Sequence, residues 1–220
     1  MNKLTAAQHP RQALGSFFIS ILKWVDAKKL REEVRARVSP ETQALFERAP
    51  GLLSWIPSTP IDEVETAIGE LAGKQALHEL GLVTARGLGG SMIQPVIRAA
   101  FFLFGETPDT AFGNLDRFFT LATRGLSFSY QPKVPGVGVV EARFAGSGTP
   151  PAAFEVLRGA LAFVFEVSGP SGVVDPPEVV SNDARILSAY APTRELPGTA
   201  PTAAPRSAGG AVVRYRVSWK

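Results

Sequence analysis

The hydrophobic period changes at Gly125, and this change restricts the fold more than any other feature of the chain. Before it, apolar residues recur at helical spacing, as in Ile61, Val64, Ile68 and Leu71, and again in Phe112, Leu115, Phe118, Phe119 and Ala122. After it, Leu126, Phe128 and Tyr130 alternate with Ser127, Ser129 and Gln131, the period of a half-buried strand. Pro135-Gly136 turns the chain, and Val137 to Phe144 supplies a partner strand. Phe154, Leu157, Leu161, Val164 and Phe165 predict one long helix, and Ser171 to Val180 and Arg185 to Tyr190 are candidate strands. The sequence closes on Ala211 to Trp219, where Val213, Tyr215, Val217 and Trp219 alternate with Arg214, Arg216 and Ser218. This pattern predicts an α+β fold, with a helical layer packed on an antiparallel sheet and the C-terminal strand in the sheet. Residues 192–210, rich in Pro, Ala and Gly, then form an insertion within that sheet.

The N-terminal half reads as helical. Residues 1–12 are polar, contain Pro10 and are expected to form a flexible leader, leaving 13–220 as a single domain. Leu14 to Ile21 is either a strand or the start of a buried helix, since periodicity does not separate the two. Val25, Leu30, Val34 and Val38 continue at helical spacing. Ser39-Pro40-Glu41 predicts a stop and restart, with Ser39 as N-cap and Pro40 in the first helical position. Leu52 to Pro57, with Trp55, is an apolar connection. Helices are predicted from Ile61, over Lys74 to Leu88, over Ser91 to Phe104, and over Thr107 to Arg124 with Gly125 as its C′ residue.

Composition removes whole classes of chemistry. With no Cys among 220 residues there is no thiol catalysis, no disulfide and no thiolate metal site. His9 and His78 are the whole imidazole supply. The 23 Lys and Arg exceed the 20 Asp and Glu by only three, so nucleic acid is not an expected partner. The stretch Lys23, Lys28, Lys29, Arg31, Arg35 and Arg37 is diluted by Asp26, Glu32 and Glu33 and reads as a solvated helix face. Neither Leu14 to Leu22 nor Ala99 to Phe104 approaches the ~20 apolar residues of a membrane span. Lys23, Trp24 and Asp26 stand where a signal peptide would carry small residues, so the expected location is cytoplasmic.

Residue clusters that suggest catalysis have simpler explanations. Gly87, Gly89 and Gly90 before Ser91 lack the preceding strand and the Lys of a phosphate loop, and read as a helix-to-helix turn. His78 and Glu79 are neighbours in one helix and do not face each other. Asp62, Glu63 and Glu65 are assigned to a helix start and its polar face. Arg98, His78, Glu79 and Tyr190 would make an enzyme only by converging in space. The aromatic residues are more suggestive: of 14 Phe, six (Phe101, Phe102, Phe104, Phe112, Phe118 and Phe119) fall in two adjacent predicted helices, where they either wall an apolar pocket or fill a core.

Taken in order, the Leu14 to Ile21 segment, the Leu53-Ser54-Trp55-Ile56-Pro57 turn, the helices through Gly81, the Phe118 helix, the hairpin, the Phe154 helix and the closing Tyr215-Arg216-Val217-Ser218-Trp219 strand carry a resemblance. Together they resemble a myxobacterial paralogous family related to the 4-vinyl reductase domain, and more distantly to heme nitric-oxide-binding and TRAPP-type ligand-binding domains. The resemblance implies helices on an antiparallel sheet, dimerisation, and in several branches a small-molecule cavity between the layers. It also marks departures. The Cys residues of vinyl-reductase-like domains are missing from Val180 to Trp219, and the Tyr-x-Ser-x-Arg motif of the heme branch is not matched by Tyr190-Ala191-Pro192-Thr193-Arg194. No cofactor and no metal are expected.

The sequence thus predicts a non-enzymatic binding or sensor module for a small apolar ligand or a protein partner, with Trp55, Phe101 and Phe118 as ligand-binding residues. The alternative is a structural protein that forms a homodimer around a fully packed core.

Overall fold

The computed structural model describes residues 11–88, 105–146, 148–180 and 210–220. A short strand β1 (Gln12–Leu14) runs directly into α1 (Gly15–Ala27), so the aromatic segment after Leu14 is helical. Helix α1 ends in a Schellman arrangement with a lysine in the left-handed position. Lys29 has φ 59°, the Leu30 amide donates to the Val25 carbonyl and the Lys29 amide to that of Asp26. This break separates α1 from α2 (Arg31–Arg35). Helix α3 (Pro40–Glu47) starts as expected, with the Ser39 hydroxyl accepting from the Thr42 amide.

The apolar connection contains a strand, β2 (Trp55–Pro57), and α4 (Thr59–Leu88) follows. At Gly73, where φ is 78°, α4 breaks into the two halves that the sequence pattern separates. Instead of one helix over Thr107 to Arg124, the structure has α5 (Pro108–Gly113), α6 (Leu115–Phe119) and strand β3 (Thr123–Arg124). The break falls at Asn114, whose backbone (φ −107°, ψ 8°) leaves the helical region, and its side-chain amide donates back to the Thr110 carbonyl. Gly125 therefore follows a strand and is not a helix cap.

The remaining elements are β4 (Leu126–Val134), β5 (Val137–Phe144), α7 (Pro151–Ser168), β6 (Gly172–Val174), β7 (Glu178–Val179) and β8 (Ala211–Trp219). The main sheet has the order β4-β5-β8-β6, with β7 also on β8, and every pairing is antiparallel. The C-terminal strand lies inside it. A second, three-stranded sheet, β2-β1-β3, was not anticipated from the sequence. It corrects the leader boundary: Gln12 pairs with Pro57 and Arg124, so the fold begins before residue 13.

Helix α7 lies between two cores and is apolar almost all round, as a doubly covered helix must be. Phe154, Leu157, Leu161, Val164 and Phe165 join the inner face of the sheet, from Val140, Ala142 and Phe144 to Val213, Tyr215 and Val217. Ala152 and Val156 join the helical core of Phe18, Ile21, Val25, Val64, Ile68 and Leu80. The helical layer thus packs on an antiparallel sheet as the sequence predicts. The predicted helix at Ser91 to Phe104, the strand at Arg185 to Tyr190 and the insertion at 192–210 lie outside the described residues.

Candidate functional site

The first halves of α4 and α7 meet residues of α1, α6, β1, β3, β4 and β5 at one place. Together they line a half-open cavity of ≈ 90 Å³. Its wall is mostly apolar, formed by Phe17 of α1, Phe119 of α6, Leu126, Phe144, and Val156 and Leu157 of α7. Into this wall α4 places two carboxylates. Asp62 and Glu65 are three residues apart, so helical spacing puts them on one face.

Asp62 forms a hydrogen-bonded ion pair with Arg11, whose guanidinium also lies 5.7 Å from the Phe144 ring centroid. The Ser58 hydroxyl donates to the same carboxylate at 3.4 Å. Arg11, Ser58 and Asp62 also line an open outer groove of ≈ 530 Å³ bounded by Arg37, Glu63, Glu70 and Gly146. The ion pair therefore stands where the groove meets the inner cavity. Burial raises the Asp62 pKa above 3.8, and Arg11 and Ser58 offset this only partly.

Glu65 is more unusual. It is only 3% exposed, and among the described residues no donor reaches its carboxyl. Burial holds its pKa well above 4.5, the nearby Asp62 charge adds to the rise, and Arg11 opposes it. A buried carboxyl without a partner must carry a proton or find one. Its helical position carries a readable signal. Glu65 stands between Ile61 and Ile68, at spacings of four and three, on the stripe that the sequence pattern assigns to the core. The assignment of Glu65 to a polar helix face is thus corrected.

The raised pKa has a definite sign. In the unfolded chain Glu65 ionises near 4.5, whereas in the folded protein it keeps its proton to higher pH. Its contribution to stability is therefore fully present below 4.5 and is lost as pH rises through the folded-state value. Glu65→Gln is expected to raise the thermal midpoint at neutral pH, and the gain is expected to vanish as pH falls toward 4.5. Calorimetric melts of both proteins across this range check it, and a gap independent of pH would contradict it.

Of the ligand-binding residues expected from the sequence, Trp55 and Phe118 are described. Trp55 is half-buried on β2, where the Arg124 guanidinium stacks 3.9 Å from its ring centroid. Phe118 is 6% exposed and belongs to the core on the sheet side. Phe101 lies outside the described residues, as do Arg98 and Tyr190. Glu79 pairs with Lys28. His78 stands on the other half of α4, with Arg158 and Glu155 as its charged neighbours; burial, then Arg158, lowers its pKa. Within the basic stretch, Arg31 pairs with Asp26, and Arg35 with Glu47. Among the described residues there is no cluster of metal-ligating side chains, and no helix is long and apolar enough to cross a membrane.

No family model matches the chain, and no curated protein does. Solved structures share its fold. It is similar to an oxygen-binding H-NOX domain related to soluble guanylate cyclases, at 10% identity over 94% of each chain with a TM-score of 0.56. A structure solved to probe heme distortion in the H-NOX family gives 10% identity, 94% coverage of each chain and a TM-score of 0.60. An Fe(II) unliganded variant of an H-NOX protein from K. algicida gives 10% identity, covers 94% of this chain and 96% of its own, and has a TM-score of 0.59. At these identities what is shared is the helical layer on an antiparallel sheet.

The described residues do not fit a heme. Axial ligands are drawn from His, Cys, Met or Tyr, and the described cavity wall contains none. His78 faces Arg158 and Glu155 instead. At ≈ 90 Å³ the cavity is also well below the ~300–1,000 Å³ typical of small-molecule and cofactor sites alike, so it suits only a small ligand.

Proposed function

We propose that this protein is a non-enzymatic binding or sensor module whose small, largely apolar ligand occupies the cavity between α4, α7 and the two sheets. The observation that carries this reading is an apolar cavity between the two layers, reached from an open groove past a single ion pair, Arg11 to Asp62. A fold shared with an oxygen-binding H-NOX domain supports a role in holding a small molecule. The cavity wall carries Phe17, Phe119 and Phe144, so recognition rests on burial of apolar surface at about 25 cal/mol per Å².

Toluene is a suitable probe. Saturation-transfer NMR is expected to show toluene binding to the native protein. Leu126→Trp, which enlarges a half-buried side chain in the cavity wall, is expected to abolish it while circular dichroism stays unchanged. No toluene signal from the native protein, or an equal signal from the variant, would refute the cavity as the ligand site.

A further inference from the structure

Two arginines, Arg11 and Arg124, and two carboxyls, Asp62 and Glu65, line the inner cavity. Its interior charges are the Arg11 guanidinium, already paired with Asp62, and the carboxyl of Glu65, which no described donor reaches. Arg124 also lines the cavity, but its guanidinium stacks on Trp55 and donates to the Gln12 side chain at 3.3 Å on an exposed edge. Phe17 of α1, Phe144 of β5 and the α7 wall residues bring no charge. One cation and two carboxylates, 17% and 3% exposed for Asp62 and Glu65, leave one carboxyl uncompensated unless a proton or a bound cation supplies the balance.

The apolar surroundings decide what kind of cation fits. A bare metal ion needs several oxygen ligands, and the wall around Glu65 is mainly carbon. A short organic ammonium satisfies both halves of the site, with the charged head on the carboxylate and the carbon body on the rings. We propose that the inner cavity is a site for a small primary amine with a short apolar body, its ammonium held by Glu65 and its body against Phe17, Phe144 and Leu157. The inference rests on the reading of this cavity as a ligand site and adds the charge and class of the ligand. Binding exchanges one positive charge for another: the ammonium arrives with its own proton, and Glu65 releases its proton to solvent as the ion pair forms.

The test uses the full chain and three probes of matched shape, benzylamine, toluene and benzoate, followed by calorimetric titration. The expected result is that benzylamine binds about tenfold or more tighter than toluene, as a charge-assisted contact in a buried site provides. Its affinity rises with pH above 4.5, because the amine keeps its charge while Glu65 gives up its proton. Glu65→Gln, close in shape, erases the preference for the amine and leaves toluene binding in place. Equal binding of benzylamine and toluene, tightest binding of benzoate, or a Glu65→Gln variant that still prefers the amine each overturns the amine assignment while the cavity reading stands. Failure of all three probes to bind the native protein removes both.

Discussion

Alanine at Gly81 or Gly159 is expected to destabilise the protein by about 3 kcal/mol, among the largest single-residue effects in the fold. Each glycine lies where α4 and α7 cross. A Cβ on Gly81 would overlap the Val156 carbonyl oxygen, and one on Gly159 would overlap that of His78. Both collisions are with backbone, so relief requires the helices to separate, which would loosen the two cores that α7 joins. The sign makes the test decisive. In an uncrowded helix Gly→Ala is worth about 1 kcal/mol of stabilisation, so a tight crossing and a loose one predict opposite results. Urea denaturation of each variant reads the answer directly, and an unchanged or raised midpoint would show that the helices do not meet at these glycines.

Arg11→Met is expected to cost about 3 kcal/mol, the lower end of what breaking a buried ion pair costs, because Arg11 and Asp62 keep 13% and 17% exposure. The loss has two parts. Asp62 is left half-compensated in a mostly apolar wall, and Glu65 loses the cation that, among the described residues, opposes its rise in pKa. Both carboxyls then hold their protons to higher pH than before, so the variant's stability should fall more steeply than the native protein's as pH rises above 4.5. Adding Asp62→Asn to Arg11→Met should return most of the loss. Thermal melts of the native, single and double variants check this, and a loss below about 1 kcal/mol would place the pair with ordinary surface ion pairs.

How much of this was legible depended on whether the signal was local. Strands β5 and β8 occupy the predicted ranges, because strict alternation with one buried face permits one register only. The break in α4 was readable from the apolar stripe on either side of Gly73. The Thr107 to Arg124 segment misled because Phe112, Leu115 and Phe118 keep helical spacing across Asn114, so three short elements bury the same stripe that one helix would. The site itself was mostly hidden. Arg11 sat in a stretch read as leader, and its partner Asp62 is 51 residues away. Trp55 and Phe118 attracted attention as large rings, yet one supports a guanidinium at the small sheet and the other packs in the sheet-side core. Glu65 alone carried a local clue, a charge on an apolar stripe, and a reading that treats carboxylates near a helix start as dipole partners passes over it.

Strand β8, which follows β5 and β6 in the chain, occupies the middle of the main sheet with β5 on one side and β6 on the other. During synthesis β5 and β6 have nothing to bridge them until residues 211–219 leave the ribosome, so the nascent chain must hold an open half-sheet until translation of this region is finished. Deleting residues 211–219 would do more than shorten the protein. It would leave unpaired edges in the heart of the molecule, an invitation to aggregation that the finished chain no longer presents.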